Sequence, residues 1–292
     1  MNPKAPASPL TSTETETELS EWQIEIGAAV LLGPGTSILI GEIEGLGAPE
    51  VRPQDVDNPV GDGALPGADH YGPRIVRIEA GIKTPGDPAA ATKILARLQQ
   101  AARAEGVRTS TGKMSVLRAR WPGSETRRLY GRIRRMEATS IASSVHGWIP
   151  LDIEFVAMDP LFHADTPTHL TLSLDQAARP GRITNTGDAP AWPTLRITGP
   201  ISQPKVWNAV TGQTLELDMS LRAGEYVDLA TRPGTRWALR NGTINAAGSL
   251  SPRSRLDHFT VPPGSSEIAW SGDDSTATSS LTVSWRSAHT TL

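Results

Sequence analysis

The chain has 292 residues, of which 38% are hydrophobic and 20% charged, and its 28 Lys and Arg against 31 Asp and Glu give a formal net charge of -3. This composition supports a globular core and excludes a disordered polyelectrolyte, and the near-balance of charge gives no overall attraction to nucleic acid or to an anionic membrane. The absence of cysteine excludes disulfides, thiolate metal sites and cysteine nucleophiles together. Length is a prior for two domains. No run of 18 apolar residues and no signal-peptide core occurs, so by itself the chain is expected to be neither exported nor membrane-spanning. The 27 Gly and 24 Pro, with Val, Ile, Thr and Trp in short runs, predict many short strands joined by turns.

Residues 1–20 read as a flexible arm, because a Thr/Glu alternation cannot offset its own ordering entropy; the alternative is a segment that orders on a neighbouring subunit. WQIEIGAAVLL (22–32) and TSILIGEIEGL (36–46) read as two strands of a hairpin around Gly33-Pro34-Gly35. After a loop rich in Pro, Asp and Gly (47–73), RIVRIEAGIK alternates as a half-buried strand, with Val76, Ile78, Ala80 and Ile82 on one face and Arg77, Glu79 and Lys83 on the other. One main helix follows. Asp87 is its N-cap, Pro88 its first residue, Ile94, Leu95, Leu98, Ala101 and Ala102 its apolar stripe, and Gly106 its stop.

KMSVLRARW (113–121), RRLYGRIRRME (127–137) and WIPLDIEFVAM (148–158) add three strands, the first two joined by Pro122-Gly123-Ser124. In FVAMDPLFH (155–163), Asp159-Pro160 marks a turn at the end of the last strand, with Leu161 and Phe162 packing beneath it; a cation-binding cluster of Asp159, His163 and Asp165 is the competing reading. From about residue 165 only short strands follow, separated by Gly, Pro and Asn turns, which predicts a β-sandwich. The fold class is mostly β, with an α+β first domain over 21–160 and a second over 165–292.

Catalytic and cofactor motifs are missing. None of the six His makes a metal-ligand spacing, and no nucleophile elbow, phosphate loop or dinucleotide fingerprint occurs. No enzymatic activity, cofactor or metal is expected. A hydrolase centred on Asp159 and His163 is the least favoured function. The local charge anomaly is seven arginines in one predicted hairpin: Arg118, Arg120, Arg127, Arg128, Arg132, Arg134 and Arg135. They are candidates for a subunit interface, where guanidinium forks pair with a neighbour's carboxylates, or for a phosphate-facing lumen. Trp192, Trp207 and Trp237 are candidates for stacking on a glycan, against the commoner use of strand tryptophans in packing.

Five stretches, DGALPGADHYGPRIVRIEAGI (62–82), FVAMDPLFH (155–163), ITNTGDAPAWPTLRITGP (183–200), the run from TGQTLELD to LRAGEYVDL (211–229) and FTVPPGSSEIAW (259–270), resemble in order and spacing the distal tail protein (Dit) family of siphophages. The resemblance implies a tail-tube-like barrel or sandwich with a helix, followed by a galectin-like β-sandwich. It implies a structural virion protein of the phage tail tip, made in the host cytoplasm: a baseplate hub subunit in a homo-hexameric ring. The ring joins the tail tube protein to tail tip or tail-associated proteins and leaves a channel for DNA and the tape measure protein. On this reading Asp159-Pro160 is the interdomain turn. The alternative function is a carbohydrate-binding module that recognises a host surface glycan through the second domain.

Overall fold

Alternation and capping write most of the first half of the fold. In the computed structural model, which describes residues 17–27, 30–174 and 180–292, Val76, Ile78, Ala80 and Ile82 are buried along a ten-residue strand, and Ile149, Leu151, Ile153 and Phe155 along another. The helix begins where expected. Asp87 Oδ1 accepts from Ala90 N–H at 2.9 Å, Pro88 opens the first turn, and Leu98 and Ala91 are fully buried, with Ile94, Leu95 and Ala101 packing around them. It ends at Arg103, and Gly106 lies within a further short helical turn, Glu105–Arg108, instead of stopping the chain.

Two units divide the described residues. The first takes Thr17–Asp165 together with His289–Leu292. Its strands are β1 (Gln23–Ile26), β2 (Val30–Leu32), β3 (Ile38–Glu44), β4 (Arg74–Lys83), β5 (Ser115–Arg120), β6 (Arg127–Ala138), β7 (Trp148–Ala157) and β8 (Phe162–Ala164), with helix α1 (Pro88–Arg103) between β4 and β5. The antiparallel order is β2-β1-β5-β6-β7-β4-β3, and β8 pairs with β6. β2 and β3 hold opposite ends of this path yet are joined by only residues 33–37, with Gly33 N–H donating to Ile38 O at 2.8 Å. The sheet therefore curls until its edges meet, enclosing one core with α1 laid against it.

The expected first hairpin is corrected by this topology. Its arms are β1 and β2, inside the first apolar run, and the Gly33-Pro34-Gly35 turn carries the chain across to β4, which β3 pairs along its length. Of the arm expected over 1–20, residues 1–16 lie outside the described residues. Thr17–Ser20 is part of the unit, with Leu19 only 4% exposed.

The second unit takes Thr166–Ala288. Its strands are β9 (Thr168–Ser173), β10 (Gly181–Asn185), β11 (Thr194–Thr198), β12 (Ile201–Asn208), β13 (Thr214–Glu216), β14 (Ser220–Leu221), β15 (Tyr226–Ala230), β16 (Trp237–Arg240), β17 (Ile244–Asn245), β18 (Gly264–Asp273) and β19 (Ser280–Trp285). They form a six-stranded sheet, β9-β19-β11-β15-β16-β17, and a second of β10-β18-β12-β13 with β14 on β12. Leu195, Ile197, Val227 and Leu229 of the first sheet and Val206, Leu215 and Ile268 of the second are fully buried, as the facing layers of a sandwich require. A mostly β fold with one main helix is borne out.

Candidate assembly surface

The arginine-rich segment is the antiparallel pair β5–β6, and its register sets Arg118 directly opposite Arg128. Like charges opposed on neighbouring strands repel, so the pair needs an anion. Two carboxylates supply it. Glu25, opposite Arg118 on β1, forms an ion pair with it. Asp165 bridges both arginines, receiving Arg118 Nε and Nη2 at 3.0 and 2.6 Å and Arg128 Nε and Nη2 at 3.0 and 2.7 Å. Burial opposes the Asp165 charge, but the Arg118 hydrogen bonds and the Arg128 charge outweigh it and hold the carboxyl below the usual carboxylate value. Arg118 and Arg128 are 5% and 6% exposed.

The expectation that a neighbour's carboxylates pair the whole cluster is therefore corrected for these two, which are consumed inside the chain. Arg120 Nη1 reaches Glu18 at 2.6 Å and Leu19 O at 2.8 Å, fixing the segment that precedes β1. Arg127 donates to Thr291 O, and Arg135 pairs with Asp152 at 3.0 Å and with Glu137. Arg132 donates to the carbonyls of Ser110 and Lys113, each at 2.9 Å. Arg134 is exposed and has no ion-pair partner among the described residues.

A β-bulge explains where Arg134 points. Arg132 pairs with Val156 and Ile133 with Phe155, but Arg135 pairs with Glu154, so Arg134 is the extra residue. The core side of β6 changes parity there: Leu129 and Gly131 are buried before the bulge, and Met136 and Ala138 pack against the core after it. Arg132 and Arg134 then line one concavity of about 450 Å³ with Arg103 and Arg108, its apolar floor provided by Val107 and Met136.

Asp159 and Pro160 do not hand the chain to the next unit, a second correction. Asp159 Oδ1 accepts from Leu161 N–H at 3.1 Å, and the turn leads from β7 into β8 of the same sheet; the boundary falls after Asp165. His163 Nε2 lies 2.9 Å from Asp159 Oδ2, and among the described residues no group of three His, Asp or Glu is arranged to hold a metal ion.

Sequence reasoning passed over Arg74, which is 3% exposed and donates to four backbone carbonyls, those of Gly45, Gly47, Pro160 and Thr290. Burial lowers its pKa to about 10. It ties two loops and the returning segment His289–Leu292 to the start of β4. Carbonyl partners 27 to 216 residues away leave no local sequence signal.

The tryptophans of the sandwich do not make one platform. Trp207 stands on β12 of one sheet and Trp237 on β16 of the other, and neither these nor Trp192 is exposed. Exposed apolar surface lies elsewhere. Of the fourteen large hydrophobic residues exposed among those described, all but Val210 and Ile244 belong to the first unit.

The comparisons with known proteins agree with this architecture. Residues 186–289 match the family model SPP1_Dit, described as the siphovirus-type tail component, C-terminal domain. The crystal structure of SPP1 Dit, described as a paradigm of the hub adsorption apparatus in phages that infect Gram-positive bacteria, superposes with a TM-score of 0.60 at 12% identity, over 91% of this chain and 98% of that one. A chain of the phage P2 baseplate in its activated conformation with Ca matches with a TM-score of 0.52 at 7% identity, over 90% and 97%. The same baseplate with Sr gives 0.52 at 7%, over 91% and 98%. No curated protein matches the sequence. The fold is the one these hub and baseplate chains share, and the second unit carries the match to a siphovirus-type tail component. Residues 186–289 match the C-terminal domain of the siphovirus-type tail component family, and the resemblance to the distal tail (Dit) family is borne out.

Proposed function

We propose that the chain is the distal tail hub subunit of a virion and that its first units close a homo-hexameric ring at the tail tip. The observation that carries this reading is the concentration of exposed apolar side chains, twelve of the fourteen among the described residues, on a unit whose core is already complete. Apolar surface of this kind marks a site of association, and an interface repeated by rotation covers it without leaving open edges. The ring joins the tail tube protein to the tip or tail-associated proteins and leaves a channel for DNA and the tape measure protein. The chain acts as structure, with no catalytic step assigned to it, and is made in the host cytoplasm before incorporation.

Light scattering after size exclusion, followed by negative-stain imaging, tests the proposal. A mass near six times 31.1 kDa with a central hole supports it. A larger open polymer, or a compact oligomer with no hole, contradicts it.

A further inference from the structure

The loop between β3 and β4 is an ordered projection. Val51–Arg52 pairs with His70–Tyr71 and Val56–Asp57 with Ala64–Leu65, so residues 45–73 fold back on themselves as a narrow ribbon. Gly67 N–H donates to Asp55 Oδ1 at 3.0 Å, and Asn58 N–H to Gly63 O at 2.9 Å closes the tip. From residue 51 to 71 every side chain but that of Asn58 is exposed, including Val51, Val56, Leu65 and Tyr71, and Val60 at 93%. A two-stranded ribbon is marginal in water even with a covered face. This one presents its apolar residues to solvent, which calls for a partner.

The ribbon is also acidic. Glu50, Asp55, Asp57, Asp62 and Asp69 stand against Arg52 alone, a net charge of -4. The Arg103, Arg108, Arg132 and Arg134 concavity has the opposite character, four guanidiniums over an apolar floor with no carboxylate among its described lining residues, and Glu105 lies 3.4 Å from Arg108. A second concavity of this unit, about 470 Å³ around Trp22, Leu39, Ile40, Ile43 and Trp121, has Glu42 as its charged residue and would repel the ribbon. Within one unit the ribbon leaves from β3 and β4, while the arginines sit on β6, at the end of α1 and in the short helical turn Glu105–Arg108. β3 and β6 are three strand spacings apart, roughly 14 Å. No hydrogen bond or ion pair joins the two surfaces among the described residues.

We infer that the acidic ribbon 45–73 of one copy docks in the Arg103/Arg108/Arg132/Arg134 groove of the next copy of this chain. The contact is heterologous, using two different patches of each subunit, and so propagates around an axis. Charge sets the register and direction, and Val56, Val60 and Leu65 supply apolar area over Val107 and Met136. This inference rests on the self-association proposed above and names the surfaces that make it.

The test uses the full chain and its solution mass across a dilution series. Asp57→Lys with Asp62→Lys reverses the ribbon, Arg103→Glu with Arg134→Glu reverses the groove, and a fourth protein carries all four changes; circular dichroism checks that each is folded. Each reversal is expected to raise the concentration needed for assembly about 100-fold, and the combination to restore it to within about tenfold of the parent. As the chain has no cysteine, the double variant Val60→Cys/Ala102→Cys adds an independent readout. Oxidation is expected to link copies in series. A parent that assembles while both reversals assemble equally well, or cysteines that do not link copies, would overturn the docking and leave the ring standing. A parent that stays at 31.1 kDa throughout would overturn both.

Discussion

In the first unit one buried ion cluster draws on four separate stretches: Glu25 on β1, Arg118 on β5, Arg128 on β6, and Asp165 just before the unit boundary. In the sandwich, Arg196 and Asp228 stand opposite each other on the adjacent strands β11 and β15 and meet through two bonds of 2.7 and 2.8 Å, with Arg196 also over the Tyr226 ring. The sandwich closes its charge locally and exposes only two large hydrophobics among its described residues. The first unit gathers distant segments to close its interior and still leaves a ribbon and a groove open. In the proposed assembly the first unit supplies the contacts between copies, and the second closes its charge and apolar surface by itself.

The largest expected effect breaks that contrast at Asp165. Asp165→Ala leaves Arg118 and Arg128 buried, opposed and without their shared carboxylate, which should cost about 3–5 kcal/mol. Calorimetry of the full chain should show the loss in the transition of the first unit alone; equal losses in both transitions would mean that the units do not fold as separate bodies.

Acid sharpens the same point. The Asp165 pKa is depressed in the folded state, so its contribution is fully present above the unfolded value of about 4 and disappears as pH falls through the lower folded value. Urea midpoints of the parent and of Asp165→Ala should therefore differ at pH 6 and converge toward pH 2.

Asp228→Ala should cost less, about 1.5–3 kcal/mol, because the Arg196 side chain is 23% exposed and can turn to water. The second calorimetric transition reports it. Arg134→Glu should change folding stability by no more than about 0.5 kcal/mol, since Arg134 is exposed on a bulge. Its effect belongs to the dilution series and not to the melting curve.

Alternation over Arg74–Lys83 and Trp148–Ala157, and the Asp87-Pro88 start of α1, were legible in the sequence because each is local: a period of two or a cap within four residues. The hairpin of β1 and β2 was not, because both arms fall inside one continuous apolar run, while the stronger Gly33-Pro34-Gly35 signal joins strands at opposite edges of the sheet. The Arg134 bulge appears only as a change of parity between Leu129 and Met136, which a uniform alternation overlooks. Seven arginines in one hairpin drew notice as a single cluster, yet Arg118 and Arg128 are interior and Arg132 and Arg134 line a groove. Those two groups differ by what the fold brings to them from residues 25 and 165, and no spacing within the hairpin encodes that. The acidic ribbon was in plain view as a loop rich in Pro, Asp and Gly, but its order comes from the paired segments Val51–Arg52 and His70–Tyr71, too short to register as strands.

Hydrogen exchange of the full chain at two concentrations, one below and one above the onset of assembly, reads out most directly whether the first unit carries the contacts. Protection should rise with concentration in 45–73 and around Arg103 to Arg108 and Arg132 to Arg134, and stay unchanged through the sandwich strands. Protection gained mainly within Thr166–Ala288, with the ribbon unchanged, would contradict the division of labour between the two units.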